Sequence, residues 1–135
     1  SIILNIKEDG LEEKILSYLN EFNIKNYFFL DQSFPLLVKT ARQGQKQSAV
    51  RVSEYESIAT VKNLAHHVNW VWIDYFTKFP LDLSEVNELY IASPELQGYD
   101  PEIEISKLAH LLNSSQIELD AICTKRPELW KEELL

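Results

Sequence analysis

Polar and charged residues gather where short apolar runs stop. Lys7 follows the run 2–6, and Asp31 and Ser33 follow 27–30. Arg51, Ser53 and Glu54 end or follow 49–52, and Asp74 follows 70–73. Ser93 and Glu95 follow 89–92, and Thr124, Lys125 and Arg126 follow 119–123. Each run thus delivers a polar or charged group to the C-terminal end of a strand, where α/β folds bind their ligands. The plain alternative is that strands end where polar loops begin, and that Ser33, Ser53 and Asp100 serve as helix caps. That alternative is weakest for Lys7, Arg51 and Asp74, which directly follow or end apolar runs. A charge buried there without a partner is costly, so a partner or a ligand is expected.

The elements that must position these residues follow from periodicity. The six apolar runs are short and rich in β-branched and aromatic residues, as strands are. The run at 27–30 is apolar on both faces, as in a parallel sheet covered on two sides. Between the runs, apolar residues recur at helical spacing: Leu11, Ile15, Leu19 and Phe22, then Ile58, Val61, Leu64 and Val68, then Ile105, Leu108, Ala109 and Leu112. Asp9 with Glu12 and Ser53 with Glu56 have capping-box spacing. Ser33 with Pro35 predicts a helix that stops near Gly44, Asp100 with Pro101 predicts an N-cap and first helical residue, and Pro127 opens a last helix through Trp130. Residues 74–87 have only a weak helical pattern and read as a loop with a short helix.

About six strand–helix units in 135 residues make one α/β domain with parallel pairing and right-handed crossovers. No linker or low-complexity tract divides residues 1–135. Two architectures fit: an open doubly wound sheet, or a (β/α) barrel with units missing, since a full barrel has eight strands and about 250 residues. No Gly-rich phosphate loop appears, which weakens the nucleotide-binding sheet.

Composition narrows the partners. Lys plus Arg number 13 against 21 Asp plus Glu, for a net charge of −8. Such a surface repels nucleic acid and anionic lipid, while a small phosphorylated ligand can still be held by cations focused in one cleft. Cys123 is the only cysteine, so no internal disulfide forms, and a cytoplasmic location is expected. No apolar run approaches the roughly 20 residues that span a bilayer. The first strand begins almost at Ser1, which raises the expectation of an upstream segment.

Taken in order, the segments 4–11, 27–35, 71–76, 93–98 and 122–127 resemble an uncharacterised branch of the glycerophosphodiester phosphodiesterase superfamily, whose barrels include phosphatidylinositol-specific phospholipase C. The resemblance spans essentially the whole chain. It implies a partial TIM barrel matching the third to eighth strands, the C-terminal three-quarters, with the first two units absent. It also implies acid–base attack on a phosphodiester assisted by Ca²⁺ or Mg²⁺. The motifs that carry the two catalytic histidines have no counterpart here. Lys7 matches the lysine of the family's Glu-x-Lys motif, but Asn5 stands at the metal-binding glutamate, a poorer ligand. The resemblance thus implies catalytic-site roles for Lys7, Asp31, Arg51 and Asp74 and substrate contacts from Ser93, Glu95 and Lys125. The loop 93–98 would offer backbone N–H groups to phosphate.

The chain alone is expected to be inactive. It would be a phosphoric diester hydrolase only if an N-terminal segment supplied the missing groups, and a cation is expected only in that longer protein. His66, His67 and His110 fall on helices, away from the strand ends, and Cys123 reads as a small core residue. Two other readings stay open. One is a self-associating module whose second copy covers open sheet edges while it binds a phosphorylated metabolite. The other is an interaction scaffold using Tyr75, Phe76 and Phe79, although those rings read more simply as a cap over the rim.

Overall fold

A computed structural model describes residues 1–80, 90–117 and 119–134. Six strands and five α-helices are found among them: β1 (Ile2–Asn5), α1 (Glu12–Glu21), β2 (Tyr27–Leu30), α2 (Phe34–Arg42), β3 (Ala49–Val52), α3 (Ile58–Leu64), β4 (Trp70–Ile73), β5 (Tyr90–Ala92), α4 (Pro101–Ser114), β6 (Ala121–Cys123) and α5 (Pro127–Leu134). The expected alternation of strand and helix is present. Leu89 and the short helix expected before it lie outside the described residues.

β1 and β2 form a parallel pair with Ile2 opposite Tyr27 and Asn5 opposite Leu30. The ladder runs one residue further, since the Ile6 N–H donates to the Leu30 carbonyl at 2.8 Å. Phe29 then makes a parallel bridge to Ser48, just before β3. The second sheet has the order β3-β4-β5-β6. Its pairs β4–β5 and β5–β6 are parallel. Within this sheet each strand neighbours the next one in the chain, and its order does not reverse among the described strands.

The chain divides into two compact units, residues 1–50 with 62–70, and residues 51–61 with 71–135. In the first, Ile6, Leu19 and Phe29 form a core joined by Leu4, Ile15, Leu16, Ile24 and Tyr27. Phe28 and Phe29 are both fully buried although they point to opposite faces of β2, so this strand is covered on both sides. In the second, Ile73, Ile91, Ile105, Leu112 and Trp130 are buried. There α4 packs on α5.

The helix starts differ in part from expectation. Asp100 caps α4 as its sequence predicts, accepting the Glu102 N–H at 3.0 Å ahead of Pro101. Gly44 adopts φ +90° past the end of α2, a conformation glycine reaches without strain. By contrast, α1 begins at Glu12 behind Leu11 with no side-chain cap. Asp9 instead accepts the Ser33 hydroxyl at 2.9 Å, which takes Ser33 away from capping α2. Glu12 turns back to the Gly10 N–H at 3.1 Å. Ser53 and Glu56 do meet, with the hydroxyl 2.8 Å from the carboxylate, but they close a tight turn. The cap of α3 is Ser57, which accepts the Ala59 N–H at 3.1 Å. In both cases the carboxylate found a closer donor than the one that its capping-box spacing predicted.

Phe29 is the test of the first core. Truncation to Ala should cost about 3–5 kcal/mol, because the strand cannot collapse around the lost ring. Urea unfolding of Phe29→Ala against wild type measures this, and a loss below about 1 kcal/mol would place the ring outside the core.

Candidate functional site

Parallel strands deliver their C-terminal ends to one edge, and here the loops that follow are tied in successive pairs. In the first unit, Lys7 after β1 donates to Asp31 after β2 at 2.6 Å, beside the Ser33–Asp9 bond. The Lys7 side chain is 71% exposed and that of Asp31 20%, so this pair lies at the surface. Asp31 has φ +60° directly after a strand, a left-handed conformation that an aspartate tolerates better than most residues. Asn5 is exposed on β1.

In the second unit, Arg51 at the end of β3 sits between two carboxylates. Its Nε lies 3.3 Å from Asp74 and 3.2 Å from Glu56. Asp74 is buried and also accepts the Trp72 indole N–H at 3.1 Å. Trp72 and Asp74 are two residues apart on one strand and its continuation, so both face the same side. Arg51 and the Trp72 indole thus both offset the cost of burying Asp74.

Glu54 ties the loop after β3 to the loop after β4. Its carboxylate accepts the backbone N–H groups of Phe76 at 3.2 Å and Lys78 at 2.6 Å, together with the N–H and hydroxyl of Thr77. Partial burial works to raise the pKa of Glu54, but the N–H groups of Lys78 and Thr77 outweigh it and hold the carboxyl at about 2. Tyr75 and Phe76 are half-buried in this loop, packed near Tyr99 and Tyr55 respectively. Burial, seconded by Glu104, raises the phenol pKa of Tyr75.

Glu95 performs the same task between the loops after β5 and β6. It accepts the hydroxyls of Ser93 and Thr124 and the Lys125 N–H. Burial pushes its pKa up, yet these donors prevail and lower it. Ser93 is fully buried and also accepts the Trp130 indole N–H at 2.8 Å. Its hydroxyl therefore faces the interior, and the substrate contact expected from it becomes a positioning role. The 93–98 segment folds into a 3-10 turn, Pro94–Gln97. The N–H groups of Leu96, Gly98 and Tyr99 are bonded within it, which removes them from the phosphate contact expected of this loop. The Lys125 side chain is exposed. Cys123 ends β6, where burial and the carboxylates of Glu95 and Asp74 raise its thiol pKa.

His66, His67 and His110 are exposed on or beside helices. Among the described residues no three His, Cys, Asp or Glu side chains are placed to hold a metal ion. With a neutral amide at Asn5 as well, the described residues do not fit a divalent-cation centre. The indole anchors Trp72 and Trp130 and the Glu54 clamp were not read from the sequence. Of the three, only the Trp72–Asp74 spacing carried a signal. Comparison with protein-family models, with curated proteins and with solved structures finds no match to this chain.

The Glu54 clamp has a pH signature. A carboxyl held at about 2 against an ordinary 4.5 stabilises the fold above pH 4.5 and loses that contribution as pH falls toward 2. Glu54→Gln should therefore be less stable than wild type at pH 7 by about 1 kcal/mol, given its partial exposure. The gap should narrow as pH drops from 4.5 toward 2. Urea titrations at several pH values test this, and a gap independent of pH would remove the charge from the explanation.

Proposed function

We propose that this chain is a phosphodiesterase-like barrel domain that holds a small phosphate ester at its strand ends and, by itself, does not hydrolyse it. The observation that carries the reading is the pair of cation–carboxylate contacts between successive strand ends, Lys7 with Asp31 and Arg51 with Asp74. A phosphate oxygen meets lysine or arginine with the geometry of a carboxylate oxygen, and each cation has N–H donors beyond the one that its aspartate takes. Asp31 and Asp74 then keep each cation aimed while the ester binds. Lys125, exposed with its backbone fixed by Glu95, supplies a further contact. The unreversed strand order supports a barrel, since a doubly wound sheet binds its ligand where the order reverses.

Hydrolysis needs groups that move protons at the phosphoryl centre. The three histidines stand exposed on or beside helices, away from the strand ends. In a longer protein, a segment bringing paired histidines and acids would complete a phosphoric diester hydrolase.

One observation favours a second reading, a non-catalytic self-associating module. The N–H groups of Ile2 and Ile6 point to β2, so those of Ile3 and Asn5 point the other way along an edge where Ile2 and Ile3 are 44% and 40% exposed. Such an edge invites another strand.

Titration with inorganic phosphate and glycerol 3-phosphate, followed by amide chemical shifts, tests the first reading. Binding in the millimolar range is expected, weakened about tenfold at the Lys7–Asp31 strand ends by Lys7→Ala and at the Arg51–Asp74 strand ends by Arg51→Ala. Bis(p-nitrophenyl) phosphate should stay intact with Mg²⁺ or Ca²⁺. No shift on phosphate addition would sink the binding site, and turnover would sink the inactivity. Light scattering addresses the second reading: a dimer that Ile3→Lys returns to monomer favours it, and a wild-type monomer ends it.

A further inference from the structure

A cleft of about 340 Å³ opens beside the turn after β3, lined by Glu54, Tyr55, Glu56, Ser57, Ile58 and Lys78, among others. It lies at the small end of the range for ligand sites, about 300–1,000 Å³. Tyr55 is 78% exposed, the most exposed large apolar side chain among the described residues. Its ring is nevertheless braced. It rests 5.8 Å from the Phe76 ring, and the Phe76 N–H is held by Glu54 at 3.2 Å. An aromatic face is thus presented to solvent on a clamped loop, at little conformational cost to a ligand that covers it.

The groups around this face offer both hydrogen-bond donors and acceptors. Glu56, with a side chain 39% exposed, accepts from Ser53 and Arg51 on Oε2, and its Oε1, 3.2 Å from the same Arg51 nitrogen, has a second lone pair to offer. The Ser57 oxygen caps α3, which leaves its own proton to donate. Lys78 contributes an ammonium to a lining that also holds the carboxylates of Glu54 and Glu56, and Glu56 is paired from behind with Arg51, which lies outside the lining and is shared with Asp74. A charged ligand of either sign meets its own kind in this lining, while a neutral one rich in hydroxyls does not.

We propose that the cleft binds a neutral polyhydroxylated ligand of monosaccharide size. The Tyr55 ring stacks on its C–H face, and Glu56, Ser57 and Lys78 exchange hydrogen bonds with its hydroxyls. This site does not depend on phosphate binding at Lys7 and Arg51, and either one stands if the other fails.

Saturation-transfer NMR on the whole chain with D-glucose, D-mannose and D-galactose, each at about 10 mM, tests it at the affinity expected of so open a cleft. Transfer to the ring C–H protons of at least one sugar is expected. It should fall at least about fivefold in Tyr55→Ala and persist in Tyr55→Phe, which keeps the stacking face. Tyr55 is so exposed that its truncation should leave the circular dichroism and melting temperature unchanged. Ser57→Ala should weaken the signal about two- to fivefold, in line with the loss of one hydrogen bond. No transfer from any of the three sugars, or equal transfer to wild type and Tyr55→Ala, overturns the proposal. Stronger transfer to glucosamine or glucuronate than to glucose overturns its neutral class.

Discussion

A parallel sheet gathers the ends of its strands at one edge, where loop N–H groups leave the ladder while still close to the apolar core. Those donors must be answered, because an unpaired buried N–H costs as much as a lost hydrogen bond. Here the answer comes from carboxylates placed one loop earlier in the chain. Glu54 takes the donors of 76–78, and Glu95 takes those of 124–125. Asp9 takes the hydroxyl of Ser33. Each clamp joins two consecutive strand ends and fixes the loop on which the next polar residue is carried. The buried indoles extend the same logic inward, with Trp72 on Asp74 and Trp130 on Ser93.

This constraint determines which charges remain for a ligand. A carboxylate that already accepts three or four hydrogen bonds has little left to offer, so Glu54 and Glu95 act on their loops more than on anything that binds. The cations differ from them. Lys7 is mostly exposed, and exposed pairs are worth only about 0–1 kcal/mol, so little free energy fixes it to Asp31. Arg51 is held by two carboxylates, one of them buried with an indole as second partner. Arg51 is thus fixed by a partly buried network, whereas the Lys7–Asp31 pair lies at the surface.

The alternation of strands and helices and the parallel pairing were legible from the chain. Six short β-branched or aromatic runs with helical stripes between them are local signals, and the fully buried Phe28 and Phe29 bear out the two-sided covering read from 27–30. Asp100 before Pro101 was legible too, because the cap and its acceptor lie within one turn. What spacing did not reveal was which of several nearby donors a carboxylate would choose. Asp9 and Glu12 are three residues apart, as a capping box requires, but Ser33 from the next loop and the Gly10 N–H lay closer. The Trp130–Ser93 bond joins residues 37 apart, a separation that no sequence window spans. Of the expected site residues, Lys7, Asp31, Arg51 and Asp74 were found in ion pairs, while Ser93 turned inward.

The same clamps shape what chemistry the rim supports. General acid–base catalysis works best with groups that titrate near the operating pH. The hydrogen bonds that fix Glu54 and Glu95 lower their pKa values, away from neutrality. Burial and the two neighbouring carboxylates move Cys123 the other way, toward the unreactive thiol. Acids that hold loops in place thus give up proton mobility in proportion to the donors they collect. These strand-end carboxylates hold loops and charges in place, and proton transfer beside them would have to come from a group that no clamp has claimed.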